Sequence, residues 1–521
     1  MPQLVTTNFR LHNAKQFYEA FSETAKDYIY FFISRVSAWP GGTPSTPLET
    51  VKGVEYIPWL QMIAAKRVNA SDVSFVAKRY DWASGTVYAE YSDTSSTLKT
   101  SRFFVITEDY NVYKCLYNNY GATSTVKPTG TSTSNLVTSD GYVWKYMYTV
   151  SSAEALKFLT LNYIPVKTLT ADDSSAQYSV QQAAANGSIQ IIDVTNIGNN
   201  YLYISNTVYN VVSTTEIRLG EEAELVDDKY NGSTMYISSG TSAGEIREIT
   251  DYVGATRTAT INAAFSIALA NSGGSPSVYH IGPKVFINGD GSGAVAYANV
   301  HMNDAGTTGN GSIQRVELIN VGANYSQANV TISDSVSTNA VAVARLSPPG
   351  GHGSDPVKEL YGHNIMMNVR LEGNVSGNFP TNNDFRTIGL MKNPLLANNT
   401  LANNVGYDIT TGLTVTGLSS GPLQQDEYIN GGTSGAKGKM VLFANTNGAG
   451  TQGTIKLIAV EGTFAVSETV TGNTSSATAT ISAIANSELQ HNTGEVLYLE
   501  NRNAVSRTTD QVEDIKIIVQ F

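Results

Sequence analysis

Apolar and polar positions alternate with period two along most of this chain, most clearly over residues 494–521. There Ile515, Ile517, Val519 and Phe521 fall on one face and Lys516, Ile518 and Gln520 on the other, as in a strand covered mainly on one side. Residues 496–499, VLYL, predict a partner strand, and the polar segment between them, with Arg502, Arg507 and Asp510, predicts a loop. A run that closes on the aromatic Phe521 is expected to be tied into a sheet.

Residues 1–171 hold the strongest helical signals. Asn13 is placed to cap a helix over 14–21, with Phe17 and Phe21 one turn apart on one face. Residues 28–36 predict a buried strand stopped by Trp39-Pro40-Gly41-Gly42. Pro58 suits the first position of a helix through Arg67. Strands are predicted over 73–77, 86–91, 103–107, 112–117 and 143–150, and a short helix over 152–159. The mixture predicts an α+β domain around an antiparallel sheet.

From residue 172 the texture becomes polar, β-rich and almost free of helical signal, and it repeats. Residues 186–201 read NGSIQIIDVTNIGNNY and residues 310–325 read NGSIQRVELINVGANY. Each copy predicts a strand, a tight turn and an aromatic anchor, hence a duplicated β unit. Between them GTSAGEIREITDY, 240–252, resembles a small β module recurrent in phage virion proteins, with Gly240 and Gly244 read as turn residues. A second doubling lies in 396–488: EYINGGTSGAKGKMVLF, 427–443, and ETVTGNTSSATATISAI, 468–484, share a glutamate, a strand, Gly, Thr-Ser, Ala and a second strand. Each predicts a hairpin. The expected organisation is a platform of 1–171, 356–395 and 489–521 carrying β insertions at 172–355 and 396–488. The fold class is α+β but mainly β, a mixed α+β and β-sandwich platform with inserted small β modules.

Composition narrows the function. Charged residues make up 15% of the 521, against about 25% in a typical domain, and Gly, Ser, Thr and Asn fill the gap, which favours turn-rich β structure. A formal charge of -11 without any clustered Lys and Arg argues against a nucleic-acid partner. Cys115 is the sole cysteine, so no intrachain disulfide forms and no multi-thiolate metal site exists; it is read as a small buried side chain. No secretory signal is evident at the start, and the apolar run 28–33 is far too short to span a bilayer, so a soluble protein without a membrane partner is expected.

Candidate chemistry is sparse. Gly289-Asp290-Gly291-Ser292-Gly293 looks like a phosphate loop, but residues 294–300 alternate as a strand instead of opening a helix, which predicts a β-turn. The acidic run 221–228, EEAELVDD, lacks the spacing of an EF-hand loop and is read as a solvated or partner-facing patch. The histidines, His12, His280, His301, His352, His363 and His491, form no helical pair; His352 and His363 share a Gly-rich passage where incidental histidines are favoured over zinc. No nucleophile elbow is present, so no catalytic, cofactor or metal residue is assigned. Trp39, Trp59, Trp82 and Trp144 all lie outside the insertions and are read as core or interface anchors.

Five short stretches in one order point to a family: TTNFR at 6–10, KRYDW at 78–82, DGYVWKYMY at 140–148, DFRTIGLMKNPL at 384–395, and GEVLYLENR with DQVEDIKIIVQF at the C-terminal end. Together they resemble the T4-type baseplate wedge protein encoded by gene eight, a structural subunit of contractile phage tails. The stretches 172–355 and 396–488 fall outside this resemblance. It implies a non-enzymatic homodimer without cofactor, packed against other wedge proteins at the baseplate periphery of the virion, made in the bacterial host cytoplasm, and rearranging when the sheath contracts. It also implies structural or interface roles for Phe9, Arg10, Trp39, Asp81, Trp82, Gly141, Tyr142, Trp144, Phe385, Arg386, Pro394, Glu500, Asn501, Arg502 and Asp510. The insertions are expected to reach neighbouring wedge subunits or tail fibres. The competing readings are a receptor- or carbohydrate-binding adhesin, suggested by the Gly-, Ser-, Thr- and Tyr-rich modules, and a polysaccharide hydrolase, which needs convergent carboxylates in a cleft.

Overall fold

The computed structural model describes residues 4–22, 27–302, 308–333, 338–372, 381–508 and 511–521. They form a mainly β protein with a few short helices. The chain divides into two compact units, one of Met1–Ala77, Ser152–Val166 and Gly362–Phe521, the other of Lys78–Ser151 and Lys167–Tyr361. The segment 1–171 thus contributes to both.

In the first unit a five-stranded antiparallel sheet runs in the order 406–408, 62–67, 29–34, 383–392, 495–507. A four-stranded sheet, 513–520, 364–371, 73–78, 163–166, packs over one face. Phe31, Ile33, Phe385 and Ile388 from the first sheet meet Ile365, Met367, Ile515 and Ile517 from the second, and the helix Thr7–Ser22 adds Ala14 and Phe21. The opposite face of the five-stranded sheet buries Tyr30, Phe32, Trp59, Met62 and Tyr407. Covered on both sides, Ile29–Ser34 is an unbroken buried run. Phe32 lies opposite Gly389, where a Cβ would come 2.3 Å from its ring, so this glycine makes room for the aromatic. Residues 411–485 close a separate six-stranded barrel in the same unit.

The C-terminal strand Glu513–Gln520 follows the predicted alternation. Ile515, Ile517, Val519 and Phe521 face the core, while Ile518 packs on the cluster of Val76, Phe158 and Met366. Three expectations need correction. The strand Glu495–Arg507 continues through Arg502 and Arg507, because it pairs along the whole of Asn383–Lys392 with two register shifts; only the residues after Arg507 turn. The first helix begins at Thr7, not beside Asn13, and Thr6 Oγ1 accepts the Phe9 amide at 3.2 Å. The helix through Arg67 stops at Leu60, and Met62–Arg67 is a strand. Ile63 and Ala64 enter one core cluster and Met62 and Ala65 another, so burial on both faces overrides the helical propensity of the alanines.

The second unit holds an eleven-stranded antiparallel sheet, a four-stranded sheet of 104–106, 111–117, 143–149 and 136–137, and a two-stranded pair, 284–289 with 328–333. The predicted strand over 86–91 is only an isolated bridge, Thr86 to Ser124, and a helix, Ala176–Gln182, interrupts the region expected to be almost helix-free.

The long repeat folds as a pair of strands, Ile189–Asn199 and Thr308–Ala323, lying side by side and antiparallel. The residues that face each other, Ile192 and Val316, are equivalent positions of the two copies, so a local two-fold axis passes between them. Both copies turn the same way: Gly198 and Gly322 have φ of 60° and 61°, Asn200 and Asn324 of 66° and 62°. The anchors are exchanged. Tyr325 donates its amide to Gly187 O at 3.0 Å, while Tyr201 pairs in the ladder with Gly311, the equivalent glycine. Both tyrosines are buried in one apolar cluster.

Candidate functional site

Among the described residues no cleft gathers those singled out from the sequence; they land in several places, of which one in the first unit stands out. Trp39 lies on a loop against the edge strand Glu495–Arg507 and donates its indole N–H to Arg502 O at 2.9 Å. Arg35 stacks 3.9 Å over the same indole, held below the usual guanidinium value by burial and by neighbouring Arg386. Arg386 donates to Val36 O and reaches Asp384 at 3.2 Å. Asn501 accepts from Thr387 Oγ1 at 2.9 Å and donates to Ser45 O at 2.8 Å. These bonds fasten the loop over a sheet edge that would otherwise expose unpaired backbone groups. Beside them is a groove of about 190 Å³, with Trp39, Pro47 and Asn501 in its walls. Leu48 and Val51, 65% and 71% exposed, and Ile57 and Leu60, about half exposed, add an apolar surface on the adjoining residues 48–60. A loop locked by Arg, Trp and Asn beside exposed aliphatic side chains is suited to packing against a protein.

The other expected positions lie elsewhere. Arg10 donates to Phe521 O at 2.7 Å, and the Phe521 ring lies 5.7 Å from Phe17, so the first helix and the end of the last sheet are joined. Phe385 is wholly buried, Pro394 O accepts from Ala402 N, Glu500 accepts from Tyr498 at 2.6 Å, and Phe9 is exposed. In the second unit Asp81 pairs with Arg79, Trp82 donates to Ser124 Oγ, and Gly141 sits at φ 83° against Asn119. Tyr142 and Trp144 are fully buried and stacked, 5.4 Å between ring centres. Asp510 lies outside the described residues.

Two polar arrangements escaped sequence reasoning. The first is in the barrel, where the hairpins 428–445 and 469–485 pair through Asn430 and Thr471, equivalent positions of the short repeat. Glu427 sends its carboxylate into the turn of the other hairpin and accepts from Thr474 N at 3.0 Å, Ser475 N at 2.9 Å and Ser475 Oγ. Glu468 does the same in reverse, accepting from Thr433 N at 3.1 Å, Ser434 N at 2.9 Å and Ser434 Oγ. Burial pushes both carboxyls up, yet these donors, with Gln424 N and Ala465 N, outweigh it and hold both below the ordinary value. A Cβ on Gly431 or Gly472 would strike this clasp, which is why each turn carries glycine there. The glutamate that opens both copies was its sequence signal.

The second arrangement is a buried charge cluster in the second unit. Lys114 and Lys145 rise from neighbouring strands into the interior, with 0% and 4% exposure. Glu359 accepts from Lys114, and its other oxygen accepts Gly353 N at 2.8 Å and Asp355 N at 3.2 Å. His352 Nδ1 stands 4.0 Å from the lysine-bound oxygen, and its ring meets Tyr91 edge-on. Lysine inside the apolar runs VYKCLY and VWKYMY was the legible hint.

The remaining candidates have ordinary structural partners. Ser292–Met302 after the Gly-Asp-Gly-Ser-Gly stretch is a strand, and Asp290, drawn down to about 2 by the Ser326 hydroxyl and the Ser326 and Gln327 amides, ties this turn to residues 326 and 327. In the acidic run Glu222 binds Asn206 and Tyr279, Glu224 pairs with Lys229, and Asp227 accepts from Gly254. His280 bonds Tyr203 and His491 packs on Trp59. Among the described residues no three His, Cys, Asp or Glu converge as metal ligands, and no helix is long and apolar enough to cross a membrane. Cys115 is buried.

Residues 434–521 match the family model described as Bacteriophage T4, Gp8. No curated protein matches the chain. Over these C-terminal residues the chain is therefore similar to the T4 Gp8 family. The match begins in the barrel turn clasped by Glu468 and takes in 434–488, part of the stretch read as an insertion.

Proposed function

We propose that this chain is a structural subunit of the baseplate wedge of a contractile phage tail, working by docking its surfaces and not by changing covalent bonds in a substrate. The observation that carries this reading is the family match over 434–521, which contains the barrel hairpin of Glu468 and the last strand of each sheet of the first unit. The fastened loop at Trp39 and the apolar residues 48–60 provide a surface of the kind a neighbouring wedge protein would cover. Arg386, Asn501 and Arg502 act there or in the sheet beneath, and Phe9 acts from the exposed side of the first helix, as interface or structural positions. The protein forms a homodimer, sits at the tail baseplate after assembly in the host cytoplasm, and changes partners across bistable interfaces as the sheath contracts. Residues 172–355 act as a platform-borne module that contacts adjacent wedge subunits or tail fibres.

A density map of intact tails tests this directly. The chain is expected in a six-fold ring around the tube; complete contractile tails assembled without it would end the reading. Leu48→Asp with Leu60→Asp is expected to leave the chain folded and block its incorporation into baseplates.

A further inference from the structure

We propose that Lys114 and Glu359 condense into an intramolecular amide, a covalent bond between the strand Asn111–Tyr117 and the short helix Pro356–Glu359. The lysine is wholly buried, its nitrogen bonds the carboxylate directly, and both are shut away from water that would hydrolyse the product. Such held neighbours react at effective concentrations of about 10⁵–10⁸ M. The surroundings are arranged for acyl transfer. Glu359 Oε1, the oxygen facing away from the lysine, is met by the Gly353 and Asp355 amides, the donor pair that stabilises an oxyanion. The other oxygen, Oε2, would leave, and His352 Nδ1, with no hydrogen-bond partner among the described residues, is 4.0 Å from it. Burial lowers the Lys114 pKa, favouring the free amine that attacks, and lowers that of His352, keeping the imidazole neutral.

The step balances without a co-reactant. The Lys114 ammonium gives a proton directly to the Oε2 that it bonds, and the amine lone pair attacks the Glu359 Cδ. Charge gathers on Oε1 under the two amides, and a second proton, released once the nitrogen is bonded to carbon and acidic, passes to Oε2 with His352 as the relay. The Cδ–Oε2 bond then breaks, water leaves and the third proton stays on the amide nitrogen. Lys145, whose ammonium donates to Thr133 O at 2.5 Å and is not aimed at the carboxylate, is a bystander.

Intact-mass spectrometry of the full chain decides it. The expected mass is about 18 Da below that of the sequence, the water expelled, with a branched peptide joining the segments of Lys114 and Glu359 after digestion. Full mass overturns the proposal, as does a mass loss mapped to another pair. Glu359→Ala and Lys114→Met should each restore the full mass. His352→Phe should slow the mass loss after synthesis, and an unchanged rate would remove the histidine from the step. None of these outcomes depends on where the protein acts.

Discussion

The two duplicated regions join their copies by the same symmetry and by opposite chemistry. In residues 186–201 and 310–325 each copy sets a tyrosine on the other's glycine; in 427–443 and 468–484 each sends a carboxylate into the other's turn. In both, equivalent residues face each other across the axis, Ile192 with Val316 and Asn430 with Thr471. Neither copy is complete alone, since its anchor or its turn donors are satisfied only by its twin. What differs is the mode of failure. Buried aromatic area is lost in proportion to what is removed and is indifferent to pH, whereas a carboxylate that caps buried amides works only while it is charged.

The largest effect should come from the aromatic join. Tyr325→Ala removes a ring packed over Gly289 and Gly291 and should destabilise its sheet by about 4 kcal/mol. Hydrogen exchange of Thr308–Ala323 measures this, and unchanged protection would show that the tyrosine does not join the copies. Glu468→Ala strands the Thr433, Ser434 and Ala465 amides without an acceptor and should cost the barrel about 3 kcal/mol, read in the exchange of those amides.

Acid separates the joins more sharply. Glu427 and Glu468 titrate lower in the fold than in the unfolded chain, so their contribution is complete above the unfolded value of about 4.3 and disappears as pH falls through the lower folded values. The barrel should therefore loosen selectively as pH falls below about 4.3, while protection around Tyr201 and Tyr325 persists until Asp290, which titrates near 2, is also protonated. Equal loss in both regions would erase the distinction. The smallest effect is expected from Glu468→Gln, which keeps the shape and gives up the charge, about 1–2 kcal/mol at neutral pH with a flatter acid profile.

The alternation of Ile515 to Phe521 and the two repeats were legible because period-two burial and turn glycines are local properties. Pro58 at a first helical position reads as the start of one helix through Arg67, and only burial between two apolar layers makes Met62–Arg67 a strand. The Trp39 bond to Arg502 O joins segments far apart in the chain, and nothing local in either announces the other. The same holds for Lys114 and Glu359, although a lysine within an apolar strand marks a place where the interior must supply a counter-charge.

By itself the sequence determined that this protein is built from short strands and tight turns, that two of its β units are doubled, and that its C-terminal end is a one-sided strand of a recognisable family. Periodicity, glycine and motif order act over a few residues and survive without a fold. Only the tertiary structure decided that the doubled units exchange their anchors, that a loop fastened by tryptophan covers a sheet edge, and that a buried lysine meets a buried carboxylate in the interior. Hydrogen bonding and charge act through space, so the partner of a buried polar group is fixed by packing and not by distance along the chain.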